Sequence, residues 1–235
     1  MNYKLLFAVC LTGCGSLDVK PNVGTISNQN PRVVAQAVLR STAITHEDWI
    51  KQIEALNHQQ QNELGDAWGT NVILVDTAPA LADPNKLSLN AVDILPIVSK
   101  RGKVYGYHTG RNSFVDIPVC LQGPEYQWNR TCSHEMCEMV VNEGVSSFPN
   151  RITHVIFGVP SKEICDSVSS ASYGYPDESG SPILVDFTFP AWWGLGNTTF
   201  TLAGKPIYDY MRVTTAPGRV AAGGLIEKSN LITTH

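Results

Sequence analysis

Charge is scarce in this sequence. Asp, Glu, Lys and Arg make up 16% of its 235 residues, against about 25% in an average soluble domain, and no basic run occurs anywhere. With 17 Lys plus Arg against 21 Asp plus Glu and a net charge of -4, the chain lacks the clustered basic face of a nucleic-acid binder. Long apolar runs are missing as well: Leu5 to Leu11 falls far short of the roughly 20 residues that span a bilayer. There is no GxSxG elbow and no glycine-rich phosphate loop, which removes a serine-hydrolase elbow and a phosphate cradle, and the absence of CxxC with irregular Cys spacing argues against a structural Cys-zinc site. No internal repeat is found. A Cys-His protease reading on Cys132 or Cys137 fails for want of a nucleophile context.

What is present is apolar mass. Hydrophobic residues reach 43%, enough for a real core and against intrinsic disorder, while 19 Gly and 14 Pro point to a loop-rich fold. The apolar start after Lys4 ends in Leu11-Thr12-Gly13-Cys14, which resembles the lipobox of bacterial lipoproteins. That implies a signal peptide over residues 1–13, lipidation at Cys14, a tether over residues 14–44, and an exported protein anchored at the periplasmic or cell-surface side. The membrane is then met through the lipid anchor only. The alternative location is soluble or virion-associated. Four cysteines remain beyond Cys14, namely Cys120, Cys132, Cys137 and Cys165. In an oxidising compartment they could form two disulfides in any of three pairings, or stay as free thiols.

The remaining residues, 45–235, are expected to form one α+β domain with an irregular C-terminal region. Thr45 to Trp68 has the spacing of a helix, capped by Thr45 and closed near Gly65 and Gly69. Strands are expected over residues 71–77, 91–98, 103–108 and 114–120, with a turn at Gly110-Arg111-Asn112. A helix then a series of strands then a second helix favours α+β over regular βαβ winding.

The chemistry concentrates in Ser133-His134-Glu135-Met136-Cys137-Glu138-Met139-Val140-Val141-Asn142. On a helix, His134 and Glu138 lie about 40° apart on one face, and Glu135 about 100° from His134. This is an HExxH metal helix with Glu in place of the second His, so His134 and Glu138 are candidate metal ligands and Glu135 a candidate general base. Glu163 is available as a third ligand. Asp166, three residues on, could accept the free ring N–H of His134 from a second short helix. His108 and His154 are lone histidines and are assigned no part in the metal site. Trp192, Trp193 and Phe189 read as core packing ahead of a substrate groove, Tyr173 and Tyr175 as loop packing or oxyanion donors, and Gly223-Gly224 as a turn.

From about Thr45 to Phe200 the chain resembles an uncharacterised zincin-like family of bacterial and phage genomes that carries SHExxEMxxD, EVCDxV and SDFxxPxWF motifs. Here they stand as residues 133–142, as Glu163-Ile164-Cys165-Asp166-Ser167-Val168, and as residues 185–193, with Trp68-Gly69 fitting the end of the long helix. The resemblance implies a zincin-like single domain with a mixed sheet and an HExxE helix. Asn142 replaces the family's Asp and Glu143 the Pro that follows, which leaves Asn142 a hydrogen-bonding role beside the site rather than a ligand role. One His and two carboxylates make a hard site, suited to zinc and able to admit Mn or Ca. The function expected is a metal-dependent peptidase acting on a peptide or protein substrate. The alternative is a non-catalytic surface or virion-associated binding protein with a structural or vestigial metal site.

Overall fold

The structure is a computed structural model and describes residues 31–96, 104–124, 126–143, 163–170, 174–177, 182–195, 200–202 and 205–224. The expected signal peptide, Cys14, Tyr173 and His154 lie outside the described residues.

The first element corrects the expected tether. Val33–Leu39 is a strand, β1, inside the segment 14–44. Its near-continuous apolar sequence, VVAQAVL, suits a strand with neighbours on both sides. It pairs in parallel with β2 (Val72–Asp76) on one side and with β3 (Ser88–Val92) on the other. β5 (Asn112–Asp116) extends the sheet in parallel, and β4 (Gly106–Thr109) closes it antiparallel. The order is β2-β1-β3-β5-β4. The fold is α+β with a mixed sheet, as expected, although β1 and β2 with the helix between them do form one parallel crossover.

That crossover runs as α1 (His46–His58), a π-helical segment over residues 59–63, and α2 (Leu64–Trp68). Thr45 caps it by accepting from the Asp48 N–H at 3.1 Å. Gly69 ends it in the left-handed conformation at φ 66, which glycine reaches without a Cβ clash. The π segment turns Gln59 and Gln60 into the core, where both are fully buried.

Other boundaries differ from expectation for identifiable reasons. The strand expected over residues 91–98 sits at Ser88–Val92, because Ser88 and Asn90 are buried strand residues despite their polarity, and Asn90 Nδ2 donates to the Ser113 carbonyl at 3.2 Å. The strand expected over residues 114–120 stops at Asp116, whose carboxylate accepts from the Val119 N–H at 3.0 Å and caps α3 (Ile117–Leu121). The turn at Gly110-Arg111 joins β4 to β5 as expected.

α4 (Gln127–Asn142) is the central helix. It packs against α1 through Gln52, whose amide donates to the Asn129 carbonyl at 3.1 Å, and against the sheet through Ser113, whose hydroxyl donates to the Glu135 carbonyl at 2.9 Å. The core between them gathers Ala35, Ala37, Trp49, Leu56, Leu89, Val115, Met136 and Met139. By strand alternation Val34 and Val75 face away from the helices, and both are exposed.

Two small antiparallel ribbons complete the described part: β6 (Gly174–Pro176) with β7 (Ile183–Val185), and β8 (Phe200–Leu202) with β9 (Lys205–Ile207). Trp192, Trp193 and Phe189 are buried in the core, as expected of packing residues. All four cysteines, Cys120, Cys132, Cys137 and Cys165, are buried free thiols, so the disulfides considered from sequence are not formed. Burial pushes Cys120 up to about 12 and holds Cys132 and Cys165 well above the ordinary thiol range. No helix among the described residues is long and apolar enough to cross a membrane.

Candidate metal centre

α4 supplies the site as helical spacing requires. His134 Nε2 lies 3.1 Å from Glu138 Oε2, one turn on. Glu138 is 1% exposed, and its Oε1 accepts from the Cys165 N–H at 3.1 Å. Glu135 points toward β4. Gly106 makes that approach possible: a Cβ there would stand 2.7 Å from Thr131 Cγ2, 2.8 Å from the Phe114 carbonyl and 3.0 Å from Glu135 Cγ.

Two residues along β4, and so on the same strand face, is His108. Its Nδ1 lies 3.4 Å from Glu135 Oε2 and 3.6 Å from Glu138 Oε2; its Nε2 lies 3.9 Å from Glu163 Oε1 and 3.1 Å from Asn142 Nδ2. The histidine that sequence leaves unassigned therefore touches the base, two of the expected ligands and the expected hydrogen-bonding residue. Its only signal in the sequence is the i, i+2 relation to Gly106, which gains meaning once β4 is known to lie against α4. Asn142 serves His108 and not His134.

The 163–168 segment is a turn followed by a 3₁₀ turn over Asp166–Val168, and not the short helix expected. Asp166 Oδ1 stands 3.3 Å from His134 Nε2, the same nitrogen that faces Glu138. Asp166 is thus placed on the ligand side of the imidazole and not behind the ring, where a partner for the free N–H would stand. The segment is held by the third motif: the Thr188 N–H donates to the Ile164 carbonyl at 2.8 Å, while Trp68 Nε1 donates to the Thr188 carbonyl and Trp193 Nε1 to its hydroxyl, each at 2.9 Å. Near the chain's end Gly224 seats against the same turn, where a Cβ would meet the Ser167 carbonyl oxygen at 2.2 Å. Three separated motifs so converge on one peptide unit, Ile164-Cys165, which touches Glu138.

The other expected residues stand elsewhere. The Tyr175 hydroxyl is taken by Glu63 and by the Gln59 amide, so the phenol is a buried anchor and no oxyanion donor. Burial, reinforced by Glu63, pushes that phenol well above its usual range. A cleft of about 460 Å³ opens near Thr45, Asp48, Lys51, Tyr126 and Trp128, but none of the clustered His and Glu residues lines it.

Electrostatics mark the centre as unbalanced. Burial opposes protonation of His134, yet Glu138 and Asp166 beside it hold the imidazole well above its ordinary value. His108 is likewise opposed by burial and raised on balance by Glu135 and Glu163. Burial, with Glu163 and Asp166 nearby, pushes the Glu138 carboxyl well up against the pull of His134. The donors suit a divalent cation. Ligand atoms of His134, Glu138 and Cys165 lie within 4.8 Å of one another, and so do those of His108, Glu138 and Glu163. Glu138 belongs to both groups, whereas His134 and Glu163, expected to share one ion, fall into different ones. No protein-family model, curated protein or solved structure matches the chain.

Proposed function

We propose that this chain is a metal-dependent peptidase of zincin type, exported and held at a membrane through Cys14. One observation carries the reading: an HExxE helix brings His134 and Glu138 to 3.1 Å while turning Glu135 toward the edge strand β4. A divalent ion held by these side chains, zinc or else Mn or Ca, would polarise a scissile carbonyl and acidify the attacking water. Glu135 takes the proton of that water and returns it to the leaving amine. Among the described residues β4 pairs with β5 and stands last in the sheet order, which is where an extended peptide would add as a further strand.

Paired substitutions test the assignment. Glu135→Gln keeps the metal and the fold and lowers peptide cleavage by about 10²–10⁴-fold. Glu138→Gln lowers metal content, since it removes a charged ligand. Equal metal loss in both variants overturns this division between base and ligand. Wild-type protein that holds metal but cleaves nothing in a broad peptide screen points to the structural-ion alternative. The anchor is tested by membrane partitioning, which Cys14→Ser abolishes.

A further inference from the structure

We infer that the centre is built for two cations bridged by Glu138, a dinuclear site in place of the single ion that an HExxE helix suggests. This rests on the reading that the cluster holds metal.

The first observation is geometric. His134 Nε2 and His108 Nδ1 approach the same oxygen, Glu138 Oε2, at 3.1 and 3.6 Å. Yet they belong to different ligand groups: His134 groups with Glu138 and Cys165, His108 with Glu138 and Glu163. A single ion would need both imidazoles around one centre. Instead each imidazole has its own carboxylates beyond Glu138: Asp166 at 3.3 Å for His134, and for His108 Glu135 at 3.4 Å from Nδ1 and Glu163 at 3.9 Å from Nε2.

The second observation is charge. Four carboxylates, from Glu135, Glu138, Glu163 and Asp166, surround two imidazoles, and no Lys or Arg pairs with any of them among the described residues. Two divalent ions would match four carboxylates with neutral imidazoles; one would leave an excess of two negative charges in a largely buried space, which is costly. Glu138 is suited to bridging because it is the one carboxylate in contact with both imidazoles and is fixed from behind by the Cys165 N–H. The second position, formed by His108, Glu138 and Glu163, is the one beside Glu135 and the β4 edge. Paired ions about 3.5–4 Å apart serve several hydrolase classes, aminopeptidases among them, by holding the attacking oxygen and the group it attacks.

The test is metal stoichiometry of the full chain, saturated with zinc and then with manganese. The measurements are metal analysis per chain and electron paramagnetic resonance of the manganese form. The expected result is two ions per chain and an exchange-coupled dimanganese signal in wild type. One ion and an uncoupled signal are expected in His108→Ala and in His134→Ala, and loss of coupling in Glu138→Gln. Wild type saturating at one ion overturns the inference and leaves the peptidase reading standing; wild type binding none overturns both. If either variant fails to fold, the wild-type count and its spectrum still decide.

Discussion

α4 is buried on two sides that handle polarity in opposite ways. Toward the π segment, the groups that touch α4 are neutral and nearly all matched, Gln60 Oε1 being the buried exception. Ser133 Oγ donates to Gln59 Oε1 at 2.8 Å and accepts from the Val185 N–H at 3.0 Å; Gln59 Nε2 donates to Tyr175 and to the Val185 carbonyl; Gln60 Nε2 meets Cys137 Sγ at 3.3 Å. Toward β4 and the 163–168 turn, the same helix presents His134, Glu135 and Glu138 to His108, Glu163 and Asp166. On the first side most donors and acceptors close on one another, with Gln60 Oε1 left over. Among the described residues the second has more negative groups than donors, an excess that protons or cations can offset. The motif's Ser therefore locks the helix in place, and the His and Glu residues one step round the helix are free for chemistry.

The largest effect that separates the two sides is cation binding. A ligand that binds only the folded chain at about a thousand times its dissociation constant stabilises it by about 4 kcal/mol. Zinc should therefore raise the thermal midpoint of wild type strongly, and a chelator should reverse it. His134→Ala should blunt the response. A midpoint indifferent to zinc and to chelator would mean that the charged side is balanced by protons alone.

A smaller effect is expected from the neutral side. Gln59→Leu is close in size but leaves Ser133, Tyr175 and the Val185 carbonyl short of a partner, which costs on the order of 1–3 kcal/mol. Because none of these groups touches the His and Glu cluster, metal content per folded chain should stay at the wild-type level. Metal loss in Gln59→Leu would show that the two sides of α4 are coupled and that the neutral network positions the ligands.

The same contrast explains what can be read from sequence. His134, Glu135 and Glu138 are legible because helical spacing alone fixes their mutual directions. Thr45 and Gly69 are legible as helix ends because capping chemistry is local. His108 is not, since it reaches the site only through the register of β4 on β5 and the close approach allowed by Gly106. β1 is hidden by its setting, an apolar run following a polar, Pro- and Asn-containing stretch. The side of the His134 ring on which Asp166 stands also lies beyond sequence, because the turn that carries it is held by Thr188, more than twenty residues away.

The smallest effect concerns a buried acid that belongs to neither side. Asp186 Oδ1 accepts from the Phe187 N–H at 2.8 Å and the Met211 N–H at 3.0 Å, and Asp209 stands beside it with bonds from Val213 and Thr214. Donors hold Asp186 Oδ1 and both Asp209 oxygens, while Asp186 Oδ2 is buried with no hydrogen-bond donor among the described residues. Burial, and then the neighbouring Asp209, holds the Asp186 carboxyl well above its usual range. The folded chain therefore keeps this proton more tightly than the unfolded chain does. Its contribution to stability is full below the ordinary Asp range near about pH 4 and is lost as pH rises through the raised folded value. Asp186→Asn removes that loss: its amide oxygen still accepts from Phe187 and Met211, and its NH₂ can donate to Asp209. The variant should match wild type in acid and exceed it at neutral pH by on the order of 1 kcal/mol, read as a higher denaturation midpoint with unchanged metal content. A variant weaker than wild type at neutral pH would show that the Asp186 charge itself is required, and would place a second electrostatically demanding site outside the His and Glu cluster.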